Sequence, residues 1–224
     1  MITENLNSKI LIVGDIHGRW NDFNNLIEEL TPDVILQVGD FGAWKDILVD
    51  KSIKNGSTRI YFCDGNHEDH IFLKNSKQEI LPNIFYMKRG SVLTLSNNFN
   101  ILFFGGAESI DKNLRTPGYD WFPEESITQK DLDNLPDNHI DMIISHTCPI
   151  EFRVKDVIHE SSRHALSIVL KRYKPDLWVF GHWHTFIQGQ HKNCRWTSLN
   201  MINYPNCCKW LKNNERRNNN DSFS

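Results

Sequence analysis

The chain has 224 residues, 39% of them hydrophobic and 11% aromatic, enough apolar surface for one core without disulfide staples. A net charge of −3 supplies no electrostatic pull towards duplex DNA or an anionic membrane, so neither is expected as a partner. The five cysteines, Cys63, Cys148, Cys194, Cys207 and Cys208, are odd in number and lack C-x-x-C spacing, which argues against a disulfide framework and a structural zinc site.

In chain order, residues 1–8 lack the basic start and apolar stretch of a signal peptide, and no apolar run approaches the ~20 residues a spanning helix needs. A soluble, cytoplasmic protein is expected. Residues 9–13, 33–38, 59–63, 100–104, 141–145 and 176–180 are predicted strands. They are apolar nearly throughout rather than alternating, the pattern of strands covered on both faces. Between the first two, Phe23, Leu26, Ile27 and Leu30 recur at helical spacing within 21–30; a weaker pattern of Ile47, Leu48 and Ile53 marks 46–54. Two βαβ units follow, the signature of an α/β fold.

A short helix is predicted over 68–77. Residues 84–87, 91–95 and 101–104 read as a meander, with Asn97 and Asn98 as a turn. Residues 106–127 are loop-like, broken by Pro117-Gly118 and Pro123. Residues 128–135 read as a helix capped by Thr128 with Asp131 at its third position. A better helix spans 161–173, with Leu166, Val169, Leu170 and Tyr173 on one face and Pro175 ending it. Residues 186–202 alternate as a closing hairpin. The composition turns polar from Asn206, so the expected organisation is one domain over 1–205 and a tail over 206–224, disordered from Asn213.

The strand ends carry the chemistry. Asp15 and His17 follow the first apolar run, Gly39-Asp40 the second and Gly65-Asn66-His67-Glu68 the third. His146 and Gly181-His182-Trp183-His184 follow the last two. Ligands in open α/β sheets bind outside the carboxyl ends of strands, so these residues stand where a site belongs. In extended backbone, Asp15 and His17 project to one side, as do His182 and His184. Carboxylates with imidazoles suit Mn²⁺, Fe²⁺ or Zn²⁺ better than an all-oxygen Ca²⁺ or Mg²⁺ cage. With Asp40 as a central carboxylate, two ions can share a bridging ligand ~3.5–4 Å apart. His70, His139, His159, His164 and His191 fall in no such block and are read as structural.

This series, Asp15-x-His17, Gly39-Asp40, Gly65-Asn66-His67-Glu68, His146 and Gly181-His182-x-His184, resembles the calcineurin-like metallophosphoesterase superfamily from residue 10 to residue 184. The resemblance implies a four-layer αββα sandwich, two mixed β-sheets flanked by helices. It implies that Asp15, His17 and His184 hold one metal, that Asp40 bridges, and that Asn66, His146 and His182 hold the second. Two divalent ions follow from it, Mn²⁺ foremost, with Fe, Zn or Ni as alternatives. His67 matches the family's non-ligand histidine, which protonates the leaving oxygen or steadies the phosphoryl group. The implied reaction is in-line attack on phosphorus by a metal-bound hydroxide.

The chain departs from the protein Ser/Thr phosphatase branch. That branch has an Asp-Arg pair three and four residues after the bridging Asp, where this chain has Ala43 and Trp44. The arginine that grips a phosphate monoester is missing, and so is the carboxylate that orients His67; Glu68 or Asp69 is the candidate substitute. A phosphodiester or phosphomonoester, of a nucleotide or small phosphoester, is therefore expected ahead of a phosphoprotein, with the diester preferred. The loop 105–125 is the candidate recognition element, with Arg115 for a phosphate and Tyr119 or Trp121 to stack on a base, Glu68 lying close to the same site. Trp121 and Phe122 alternatively pin that loop to the body. A similar insertion occurs in lariat RNA debranching enzymes, which carry Cys at the position of Asp15. The alternatives to a small-molecule phosphoesterase are an RNA or DNA phosphodiesterase and a non-catalytic protein-binding scaffold, as in the metallophosphoesterase-like retromer subunit. The sequence leaves the oligomeric state open.

Overall fold

A computed structural model describes residues 2–45, 52–154 and 160–216. Thirteen strands are described: β1 (Ile2–Glu4), β2 (Ile10–Val13), β3 (Val34–Gln37), β4 (Arg59–Phe62), β5 (Glu79–Leu81), β6 (Ile84–Tyr86) and β7 (Ser91–Leu95). There follow β8 (Asn100–Phe104), β9 (Met142–Ser145), β10 (Leu177–Phe180), β11 (Ile187–His191), β12 (Cys194–Ser198) and β13 (Cys208–Trp210). The described helices are α1 (Trp20–Leu30), α2 (His70–Asn75), α3 (Gln129–Asp133) and α4 (Ser161–Tyr173).

The strands form two mixed sheets, of order β1-β7-β8-β9-β10-β12-β11 and β13-β2-β3-β4-β6-β5. In each, a parallel centre carries antiparallel margins. Alternate side chains sort into three layers. Ile10, Ile12, Val34 and Leu36 meet Ile101, Phe103, Met142 and Ile144 between the sheets. Leu11, Val13, Ile35 and Phe62 face outwards against Phe23 and Ile27 of α1 and Leu73 of α2. Leu102, Ile143, Trp178 and Phe180 face outwards against Leu166, Val169 and Leu170 of α4. Apolar material thus covers both faces of each central strand, which is why these runs do not alternate. The architecture is the four-layer α/β sandwich.

Two expectations differ from the structure, and a third falls largely outside the described residues. The meander is one: β6 pairs parallel to β4 in the second sheet, whereas β7 and β8 pair antiparallel in the first. Ile84 and Tyr86 belong to the outer layer over β4, so the chain leaves that sheet after Tyr86 and turns at Gly90, φ +91°, into the other. The second is the polar tail. Residues 208–210 add an edge strand to β2, Leu211 is buried, and the buried Arg216 donates to the carbonyls of Leu6, Ser8 and Leu211. Residues 217–224 lie outside the described residues. Third, of the weak helix at 46–54, residues 46–51 lie outside the described residues and 52–54 are not helical. No helix among the described residues is long and apolar enough to cross a membrane.

Candidate dinuclear metal centre

Each of the seven strand-exit residues lies at the carboxyl end of a central parallel strand: Asp15 and His17 after β2, Asp40 after β3, Asn66 after β4, His146 after β9, and His182 and His184 after β10. The pairs two residues apart do not converge through strand alternation, as expected, but through tight turns. The amides of Ile16 and His17 both donate to the carbonyl of Asp40, at 3.0 and 2.7 Å. His17, Asp40, His182 and His184 have φ of +50°, +53°, +66° and +46°. Non-glycine residues in that region cost roughly 1–2 kcal/mol each, and such strain gathers at functional sites.

On one side, Asp15, His17, Asp40 and His184 bring one ligand atom each within 4.8 Å of one another. The Nε2 atoms of His17 and His184 are 2.9 Å apart, and His184 Nε2 is 3.0 Å from Asp15 Oδ2. On the other side, Asn66 Oδ1 lies 3.1 Å from both His146 Nε2 and His182 Nδ1. His146 Nε2 is also 3.3 Å from Asp40 Oδ2, while His17 Nε2 is 3.5 Å from the same oxygen. Asp40 therefore stands between the two sets. Borderline nitrogens around carboxylate oxygens, crowded nitrogen to nitrogen, fit divalent transition ions. The ring Nδ1–H of His146 donates to Val38 O at 3.0 Å, which leaves Nε2 for an ion.

The electrostatics agree. Burial opposes ionisation of Asp40, but His146, His67 and His17 hold its carboxyl well below the usual range. Burial disfavours charge on His146, yet Asp40 overrides it and raises the imidazole to about 10. The hydrogen bond to Asp15 raises His184. Without a metal, protons on these rings compensate the two buried carboxylates, the role that a divalent ion bound there would take over.

A family model described as calcineurin-like phosphoesterase matches residues 8–186, the stretch that contains all of this geometry. The chain belongs to the calcineurin-like phosphoesterase family. Among curated proteins, the CWF19-like protein 1 homolog of Drosophila melanogaster is 28% identical over 169 residues, 70% of this chain and 30% of that protein. Human CWF19-like protein 1 is 25% identical over 128 residues, 52% of this chain and 23% of that protein. The chain thus spans less than a third of the length of these relatives. The protein TT1561 of Thermus thermophilus superposes with a TM-score of 0.62 at 14% identity, covering 94% of this chain and 96% of its own. Phosphopantetheinyl hydrolase of Mycobacterium tuberculosis does so at 0.53 and 14%, covering 91% and 95%. At such identities these two likenesses speak for the fold alone.

Around these seven candidate ligands, the other expected residues divide. His67 borders the centre: its amide donates to Asp40 Oδ1 at 2.8 Å and its ring meets that of His17 edge-on at 5.1 Å. Burial, with help from Arg115, lowers its pKa, so the ring is neutral near pH 7. Arg115 places its two amino groups 3.3 and 3.0 Å from the ring nitrogens of His67 and is held by Asp111 at 2.9 Å. Tyr119 is 75% exposed. Trp121 instead donates its indole N–H to Glu125 at 3.0 Å, and Phe122 is buried against Trp44 and His70, so both pin the loop.

Glu68 does not face a substrate. It is fully buried and accepts from the amides of Phe41, Gly42 and Ala43 at 2.7, 3.2 and 2.6 Å, fixing the turn that carries Asp40. Burial and the charge of Asp40 push its carboxyl up to about 8, while the amides of Ala43 and Phe41 pull the other way. Asp69 caps α2 through Phe72 N, so neither acid orients His67. Sequence reasoning also missed Ser109, Glu125, Asp64 and Arg89, which wire the loop to the centre. No spacing signal marks them, because they meet only through long-range contacts.

Proposed function

We propose that this chain hydrolyses a phosphodiester, of a nucleotide or another small phosphoester, with two divalent cations of which Mn²⁺ is the first choice. The observation that carries the reading is the convergence of six candidate ligands in two sets about a seventh, Asp40. In it, Asp15, His17 and His184 serve one ion, Asn66, His146 and His182 the other, and Asp40 both. Bound there, the cations lower the pKa of water towards neutrality and offset charge on phosphoryl oxygens.

The chain's own residues do the rest. His67 sits beside Asp40 as a neutral ring with one N–H, suited to steadying the phosphoryl group or the leaving oxygen. Arg115 offers a forked donor for a phosphate oxygen at the same place. Exposed Tyr119, on the same loop, is the residue free to stack on a base; Trp121 is committed to Glu125. Diester selectivity follows from charge. Ala43 is fully buried where a monoester enzyme of the phosphatase branch has its acid, Trp44 stands in place of the arginine, and Arg115 is already partly neutralised by Asp111. A monoanionic diester needs less cationic grip than a dianionic monoester.

The test is metal content followed by turnover of bis(p-nitrophenyl) phosphate and p-nitrophenyl phosphate with Mn²⁺. The diester is expected to be cleaved faster. Faster monoester cleavage overturns the diester preference; a purified chain that holds no metal and turns over neither substrate overturns the enzymatic reading in favour of a scaffold.

A further inference from the structure

Asn66 is a buried amide whose usefulness depends on which of its two ends faces the centre. Its Oδ1 points at His146 and His182, and its Nδ2 donates to Ser109 Oγ at 3.1 Å. The Ser109 hydroxyl in turn donates to Glu125 Oε2 at 2.8 Å. Glu125 Oε1 accepts from Ser109 N at 2.6 Å and from the Trp121 indole at 3.0 Å. All three side chains, Asn66, Ser109 and Glu125, are buried.

The direction of this chain of bonds is forced. Backbone and indole N–H groups can only donate, so the Glu125 carboxylate is surrounded by donors and acts as the acceptor. Ser109 has one hydroxyl hydrogen. Given to Glu125, it leaves only lone pairs for Asn66, and only the –NH₂ end of an amide can meet a lone pair. The carbonyl end is thereby aimed at the two histidines. Reversed, the amide would present hydrogens to a cation.

We infer that Ser109 and Glu125 are positioning residues that fix the amide of Asn66 for the second ion, coupling the 105–125 loop to that half of the centre. The inference rests on Asn66 being a ligand, as in the reading above. Outer partners that orient metal ligands are worth about 10–100-fold in metal affinity.

The experiment is calorimetric titration of the metal-free full chain with Mn²⁺, alongside the visible spectrum on Co²⁺ addition and the melting of the metal-free protein. The wild type is expected to show two sites. S109A is expected to keep one near wild-type affinity and weaken the other about 10–100-fold, with a changed Co²⁺ band for that site and little change in metal-free melting. S109T, which keeps the hydroxyl, is expected to retain both. E125Q is isosteric but brings an –NH₂ that can donate to Ser109, turn its hydroxyl around and favour the reversed amide; it should match S109A, and it carries the test if S109A does not fold. Two wild-type-like sites in S109A or E125Q overturn the relay, as does equal weakening of both sites. A wild type that binds no Mn²⁺ overturns the metal reading with it, whereas two sites without phosphoester turnover leave the relay standing.

Discussion

Replacing Arg89 by methionine should be among the most damaging single changes away from the metal centre, with a pH signature that identifies the cause. Its guanidinium donates to Asp64 Oδ2 at 2.7 and 3.1 Å, to Asp131 at 3.1 Å, and to the carbonyls of Glu124, Glu125 and Ser126 at 2.8 to 3.0 Å. Both Arg89 and Asp64 are buried, with side-chain exposures of 9% and 1%. Removing one partner of a buried pair costs about 3–5 kcal/mol, because the other charge is left uncompensated. At about 2–4 °C per kcal/mol for a chain of this size, melting should fall by roughly 6–20 °C. Burial tends to raise the Asp64 carboxyl, but Arg89 overrides it and holds it lowered. A depressed folded pKa contributes stability that is present above the unfolded value of about 3.9 and is lost as pH falls through the folded value. Without Arg89, burial, the largest influence, is left opposed by His70, the backbone amide and the Tyr86 hydroxyl, and the sign is expected to reverse: the ionised acid costs stability at neutral pH, and protonation relieves it. The R89M deficit, measured by urea unfolding of the metal-free protein, should therefore shrink from about pH 7 to about pH 4. D64N in the R89M background should recover part of the loss. A deficit under about 1 kcal/mol, or one that is constant with pH, refutes the argument.

H67A should lose about 10²–10³-fold in turnover, the usual worth of one preorganised hydrogen-bond donor to developing charge, with metal content unchanged; unaltered rates rule out its role. R115A should lower kcat/KM about 10–100-fold, chiefly through KM, since a charge-assisted hydrogen bond is worth about 1.5–3 kcal/mol; an unchanged KM would remove Arg115 from phosphate recognition. Mn²⁺ uptake should release protons and weaken as pH falls, by about tenfold per unit for each proton displaced, because His146 in the metal-free site is raised to about 10; uptake with no proton release contradicts this. G181A should abolish metal binding, since a Cβ there would overlap Asp15 Oδ1 and lie 2.7 Å from Val38 Cγ2; atomic absorption at wild-type stoichiometry would show that Asp15 can move aside.

The legible part of the molecule is the part where one physical constraint acts locally. Ile10, Leu11, Ile12 and Val13 are each fully buried, so a run without alternation declares a central strand. The candidate ligands are readable because a strand exit is a fixed place, and a polar residue there repeats with every βα unit. What escaped depends on partners distant in the chain. Nothing in Ile84–Tyr86 says whether it joins β4 in parallel or β7 in antiparallel, and the choice is made by the outer layer it completes. Trp121 looked as fit to stack on a base as Tyr119 until Glu125 took its indole N–H. Glu68, beside His67 in sequence, points the other way because three amides of the Asp40 turn demand an acceptor.

The glycines that precede the ligands belong to the site as much as the ligands do. Two sheets deliver their strand exits into one small volume, so each exit runs against the side chain delivered by a neighbour. A Cβ on Gly65 would overlap the Asp40 carboxylate, the group proposed to bridge, and one on Gly181 would overlap the carboxylate of Asp15. The pairs Gly-Asn at 65–66 and Gly-His at 181–182 are thus single devices: the glycine admits the ligand of the adjacent strand, and the next residue supplies its own. The left-handed φ of Asp40 and His182 belongs to the same packing. Without ions to draw them together, two buried carboxylates and several strained backbones are a cost to folding. The stability of the chain should therefore rise with metal as RT ln(1 + [L]/Kd), about 2.7 kcal/mol at a hundredfold excess over Kd.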